Sequence, residues 1–83
     1  MDSDYIIDRL KSTPYKYRTV AILQTRLSNL DENGKYKILF GLKKQLYKEC
    51  NMDILMPLST LVNYLSIALK NVTVREEHVN WGY

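Results

Sequence analysis

Between residues 14 and 70, apolar side chains recur at spacings of three and four residues, and this periodicity is the strongest constraint on the fold. Such spacing places the apolar residues on one side of an α-helix, whereas a strand would require strict alternation. The periodic segments are separated by helix-breaking residues at Thr13-Pro14, Asp31-Glu32-Asn33-Gly34 and Pro57. The sequence therefore predicts an all-α fold, a small bundle of four to five short helices forming a single helical domain over residues 1–83.

The breaking residues also set the first two predicted helices. Ser3 is expected to cap a short helix over residues 4–11, because its hydroxyl can accept a hydrogen bond from a free backbone N–H of the first turn. Thr13 is expected to cap a second helix over residues 14–29. Pro14 would then occupy the first helical position, where the missing N–H and the fixed φ of proline are tolerated.

Three more boundaries follow from the second half of the chain. A third helix is predicted over residues 35–50, after either a cap at Asp31 or a turn at Asn33-Gly34. A fourth is predicted over residues 57–70, because proline is tolerated in the first turn of a helix, with Asp53 as a candidate cap before it. It is expected to be the central core helix, or to bury one side against another protein. Thr73 and Glu76 match a capping box and predict a last helix over residues 73–81; an extended tail is the alternative.

The predicted third helix has an apolar side and a basic side. At 100° per residue, one broad arc carries its apolar side chains. The members of that arc are Tyr36, Leu39, Phe40, Leu42, Leu46, Tyr47 and Cys50. A narrow polar stripe carries Lys37, Lys44 and Lys48. Lys43 falls inside the apolar arc, where its stem would snorkel to water or its ammonium would meet an acidic partner.

Charge is distributed unevenly along the chain. Between residues 9 and 48 there are ten lysines and arginines against two acids, whereas residues 1–8 carry three aspartates and no base. Residues 49–83 are also slightly acidic. A chain that is basic in its middle and acidic at its ends is expected to meet an anionic surface, or the acidic end of another copy of itself.

The residue types that support catalysis are sparse. His78 and Cys50 are the only histidine and the only cysteine, so they provide neither a metal cluster of known spacing nor an internal disulfide. Cys50 is predicted on the apolar arc, where a thiol is usually inert. No glycine motif for a phosphate or dinucleotide and no carboxylate pair emerges. We therefore expect no enzymatic activity and no cofactor.

A cytoplasmic location is expected, because the sequence opens without the basic and apolar regions of an export signal. Residues 54–69 carry no charge, but they are fewer than the roughly 20 apolar residues that a membrane-spanning helix needs. No transmembrane segment is predicted. Docking of the fourth helix on a membrane surface stays open as a third reading.

Seven tyrosines are an excess for 83 residues, and several of them interleave with lysines and arginines. Single-stranded nucleic acid can stack its bases on such rings while lysines neutralise its phosphates, so weak, non-specific nucleic-acid binding is the alternative function. Sequence-specific DNA reading is disfavoured, because lysines alone contact phosphates without reading bases. Buried tyrosine rings and protein interfaces account for the same excess.

The small size and the phrases Pro14-Tyr15-Lys16-Tyr17-Arg18 and Leu30-Asp31-Glu32-Asn33-Gly34-Lys35 resemble accessory proteins of large AT-rich phages, the T-even type in particular. That resemblance lies in size and composition, and it does not identify any residue of a functional site. It implies a small cytoplasmic regulator, such as an accessory antiholin that engages the cytoplasmic part of a holin, or an inhibitor of a host factor.

These observations favour a non-enzymatic regulatory protein that binds another protein with an acidic surface. Lysines of the third helix would steer the encounter, and either tyrosines or the surplus apolar surface of the fourth helix would hold the complex. The predicted partner-binding residues are Lys37, Lys44, Lys48, Lys43, Tyr47 and Tyr64. A homo-oligomer is also expected, because the fourth helix carries more apolar surface than short neighbours can cover.

Overall fold

A computed structural model gives the backbone of residues 1–80 and the side chains of residues 1–70. Of residues 1–80, 69 lie in α-helices and none in a strand. Its helices are α1 (Ser3–Ser12), α2 (Lys16–Ser28), α3 (Glu32–Lys48) and α4 (Met52–Asn80). This confirms the predicted small all-α bundle. The separate last helix predicted for residues 73–81 is instead a continuation of α4, and the final residues 81–83 lie outside the described part.

Aspartates cap the helices α1 and α3. The Asp2 carboxylate accepts from the backbone N–H of Tyr5 at 2.8 Å, so Ser3 is the first helical residue and the predicted cap at Ser3 is wrong. The Asp31 carboxylate accepts from the backbone N–H of Gly34 at 2.7 Å. Of the two alternatives for that break, the cap at Asp31 is the one found. Because Glu32 to Gly34 already form its first turn, α3 begins three residues earlier than predicted.

The start of α2 differs from the prediction because Thr13 bonds locally. Its hydroxyl accepts from the backbone N–H of Tyr15 at 3.1 Å, which closes a turn around Pro14. Its carbonyl accepts from the Nζ of Lys16 at 2.8 Å. The helix therefore begins at Lys16, and Pro14 lies in the connection between α1 and α2.

Proline lies inside α4, in its second turn. The helix begins at Met52. The residue before it, Asn51, accepts a hydrogen bond through its side-chain oxygen from the backbone N–H of Asp53 at 3.0 Å. The predictions that Asp53 is a cap and that Pro57 opens the helix are therefore wrong. Pro57 removes one intrahelical hydrogen bond. Its ring is fully buried, and this burial offsets part of that cost.

The core is a single aliphatic cluster to which all four helices contribute. Its members are Ile6, Ile7, Leu10, Val20, Leu23, Leu27, Ile38, Leu39, Leu42, Leu58, Leu61, Val62, Leu65 and Leu69. Helix α4 packs against each of the other three helices, which confirms its predicted central position. Helix α1 packs against α2 and α3 as well, so α3 is held between α1 and α4 and its remaining side faces solvent.

The segment Met52–Lys70 of α4 has a mean hydropathy of 1.4, which by length and composition is enough to cross a membrane. Of the residues in this segment, 39% are buried inside the bundle. A core helix of a soluble protein has the same properties. The prediction that the chain has no transmembrane segment therefore stays a prediction.

Candidate interaction surface on the third helix

The aromatic residues of α3 point away from the core. Phe40 is 65% exposed, Tyr47 is 86% exposed and Tyr36 is 47% exposed. The buried side of α3 is aliphatic instead and consists of Ile38, Leu39 and Leu42. The predicted apolar arc was therefore rotated relative to the true one. It correctly included Leu39 and Leu42, omitted Ile38, and wrongly directed the three rings inward.

The predicted lysine stripe is exposed and adjoins these rings. Lys37, Lys44 and Lys48 all lie on the solvent side of α3. Lys43 is exposed as well, and it borders Leu39 and Leu69 where α3 meets α4, so it lies at the edge of the apolar side and reaches water, as snorkelling requires. We call this surface the α3 outer face. Its members are Tyr36, Lys37, Phe40, Lys43, Lys44, Tyr47 and Lys48.

The α3 outer face carries four positive charges and no carboxylate. Within residues 1–70, none of its four lysines forms an ion pair. The Nζ of Lys44 lies 4.9 Å from the centroid of the Phe40 ring, a cation–π contact between residues one turn apart. Among residues 1–70 these ammonium groups therefore have no carboxylate partner, and the ammonium of Lys44 lies over an exposed aromatic ring.

Glu49, immediately after α3, does not neutralise this surface because its carboxylate is engaged elsewhere. It accepts from the Gln45 side chain at 3.0 Å and from the backbone N–H of Asn51 at 3.3 Å. These two hydrogen bonds, that of Gln45 first, lower the pKa of Glu49. The carboxylate thus joins the end of α3 to the start of α4.

Two of the residues singled out in the sequence lie elsewhere. Tyr64 belongs to α4, is half-buried and packs against the core cluster, so it is not part of the α3 outer face. Cys50 lies beyond the end of α3 and is exposed, so its predicted place on the apolar side of the helix is wrong. The side chain of His78 lies outside the described residues. Within the described part of the chain, no group of three or more potential metal ligands comes together.

A second exposed surface lies where the start of α2 meets the start of α4. Met52, Met56 and Tyr17 are 60%, 54% and 62% exposed and line a groove of about 350 Å³. Its other lining residues are Pro14, Pro57 and the charged residues Lys16 and Asp53. Because the fourth helix was predicted to begin at residue 57, Met52 and Met56 were expected outside it, and no sequence pattern indicated this groove.

Comparison with protein-family models, with curated sequences and with solved structures finds no match for this chain.

Proposed function

We propose that this protein is a non-enzymatic regulator that acts by binding a partner protein with an acidic surface through the α3 outer face. The observation that carries the proposal is the exposure of Phe40 and Tyr47 among four lysines that have no carboxylate partner within residues 1–70. Aromatic rings are enriched among the residues that dominate binding energy, and clustered positive charge accelerates association with an acidic partner. The α3 outer face combines both properties on one helix.

Weak, non-specific nucleic-acid binding is the second candidate, because exposed rings among lysines can also serve single-stranded nucleic acid. The composition of the α3 outer face favours the protein partner. The face carries no arginine, and arginine provides the bidentate contacts that recognise phosphates and guanine.

The resemblance in texture to accessory proteins of T-even-type phages supports a specific setting for this proposal. The regulator would act in the cytoplasm of an infected cell. Its partner would be the cytoplasmic part of a holin, as for an antiholin, or a host factor that it inhibits. Association with a second copy of the chain is also proposed, since its own N-terminal aspartates provide an acidic surface.

The experiment is an affinity capture from the native cell with the tag at the acidic N-terminus. The test variant carries Lys37→Glu, Lys44→Glu and Lys48→Glu. The matched control carries Arg9→Glu, Lys11→Glu and Arg18→Glu at exposed positions of α1 and the start of α2. Both variants change the net charge from +3 to −3, so a difference between them reports position and not total charge.

We expect the test variant to keep its helical circular dichroism and to lose the captured partner, while the control retains it. Unchanged capture by the test variant would remove the α3 outer face from the proposal. A gel shift with single-stranded DNA at two salt concentrations separates the second candidate. Nucleic-acid binding requires a shift at low salt that disappears steeply as salt is added.

A further inference from the structure

Four members of the α3 outer face have the spacing of the residues that form a hole in a coiled coil. Phe40, Lys43, Lys44 and Tyr47 are at positions i, i+3, i+4 and i+7, so they form a diamond about 10 Å long on the helix surface. Two exposed rings form its ends and two lysines form its sides. A hole of this shape receives one apolar side chain from a facing helix.

The same spacing repeats one heptad earlier. Asn33, Tyr36, Lys37 and Phe40 form a second diamond that shares the Phe40 ring with the first. Lys37 flanks the hole nearer the start of the helix and Lys44 flanks the other. Because they are seven residues apart, both lie on the same side of the seam. With Asn33 added, the α3 outer face is therefore a seam with a repeat of seven residues, which has Lys37 and Lys44 along one edge and Tyr36 and Lys43 along the other.

We infer that the acidic partner docks on this seam as an amphipathic α-helix, with apolar side chains in the two holes and carboxylates beside Lys37 and Lys44. This inference rests on the proposed function and names the form of the partner. Charge complementarity supports an acidic helix as the partner. The seam has lysines and no carboxylate, and an acidic helix can place one carboxylate per heptad beside Lys37 and Lys44. An extended peptide is disfavoured, because residues 1–80 offer no strand edge for it to pair with.

Docking of two copies of α3 against each other is disfavoured by the same charges. Such a pair would place the lysines of one seam beside the lysines of the other, and like charges at an interface are repulsive. The acidic N-terminus of another copy stays available as an occupant. Measurement of the mass of the protein alone in solution distinguishes that case, because a monomer excludes it.

The test uses the full chain and three labelled synthetic peptides, each three heptads long. The first carries leucine at a and d and glutamate at e and g, and the second replaces every glutamate by lysine. The third is the glutamate peptide with proline in its middle heptad, which keeps the charges and breaks the helix. Binding is followed by fluorescence anisotropy at low salt, with anionic phosphatidylglycerol vesicles and an oligo-dT strand measured alongside.

Three protein variants accompany the peptides. Lys37→Glu/Lys44→Glu reverses the basic edge of the seam, and Phe40→Ala removes the ring that both holes share. Ile22→Ala is the matched control, because Ile22 is 51% exposed on α2, away from the seam. Circular dichroism of each variant checks that the bundle is intact.

We expect the glutamate helix to bind, the lysine helix not to bind, and the proline peptide to bind at least about tenfold more weakly than the glutamate helix. The charge-reversed variant should bind the glutamate helix about tenfold more weakly and should now bind the lysine helix. Phe40→Ala should lose about thirtyfold, and Ile22→Ala should change affinity little.

Equal binding of the glutamate and proline peptides would overturn the helical form of the partner and leave an acidic partner standing. Binding to the vesicles or to oligo-dT, with none to any peptide, would overturn both the inference and the proposed function. Failure of every probe would overturn the inference alone, because the capture experiment tests the acidic partner independently.

Discussion

The sharpest structural prediction concerns Gly41, where α1 crosses α3. A Cβ atom added at Gly41 would lie 2.5 Å from the Cβ of Ser3 and closer still to its hydroxyl oxygen. Carbon atoms in ordinary contact are about 3.5–4.0 Å apart. Because both Cβ atoms are fixed to their backbones, no change of rotamer relieves the overlap. Gly41→Ala must therefore move α1 away from α3 by about 1 Å.

Two effects of opposite sign decide the outcome of Gly41→Ala. Replacing glycine by alanine inside a helix stabilises it by about 1 kcal/mol. Crowding a well-packed contact costs about 1–3 kcal/mol, and the upper half of that range applies here because the overlap exceeds 1 Å between atoms that cannot rotate away. We therefore expect a net loss of about 1–2 kcal/mol in the free energy of unfolding, from urea titrations followed by circular dichroism.

Second substitutions isolate the cause. Ser3→Gly removes the opposing Cβ, so the double variant Ser3→Gly/Gly41→Ala should recover most of the loss. Ser3→Ala keeps that Cβ and should not rescue. Gly34→Ala is the control glycine, because its added Cβ would meet only a flexible carboxylate oxygen of Asp31 at 3.2 Å and the Cβ of Leu30 at 3.4 Å. A Gly41→Ala variant as stable as the native chain would refute the close crossing of α1 and α3.

Two further predictions concern the helix ends. Asp31→Ala should lower the free energy of unfolding by about 1 kcal/mol, because it leaves the backbone N–H of Gly34 without its acceptor; Asp31→Asn, which keeps a side-chain acceptor, should lose less in the same urea titration. Glu49 has a pKa below its usual value of 4.5 in the folded chain, so the stability that it contributes is present above that usual value and disappears as the pH falls through the lowered native value. Glu49→Gln should therefore flatten the acid limb of stability against pH, and a carboxyl NMR titration that placed the native pKa of Glu49 at or above 4.5 would contradict the hydrogen bonds assigned to it.

The sequence predicted the helices and much of the core, because aliphatic periodicity reports burial directly. Ile6, Ile7 and Leu10 recur at helical spacing within the predicted first helix, and all three are buried. The ends of the helices were less predictable. Several neighbouring side chains can accept a hydrogen bond from the first turn of a helix, and the sequence does not show which one does. In the structure Thr13 closes a turn before α2, and Asn51 accepts from the backbone N–H of Asp53 at the start of α4.

The orientation of α3 could not be read from its own residues. Its wheel holds two apolar sectors, an aliphatic one around Leu42 and an aromatic one around Phe40, and either could face a core. The choice is made by the neighbouring helices. The glycine at position 41 adjoins the aliphatic sector and admits Ser3 of α1 at close range, which turns Phe40 outward. The signal was present in the sequence as a glycine inside a helix, but its partner lies 38 positions earlier.

This division of α3 separates folding from binding. The aliphatic sector joins the core cluster, whereas the rings of Phe40 and Tyr47 remain largely in water. An exposed ring contributes little to the stability of the monomer, because the hydrophobic effect is proportional to the apolar area removed from water. A partner that docks on the α3 outer face can therefore gain free energy by burying this remaining apolar area and by pairing with the four lysines.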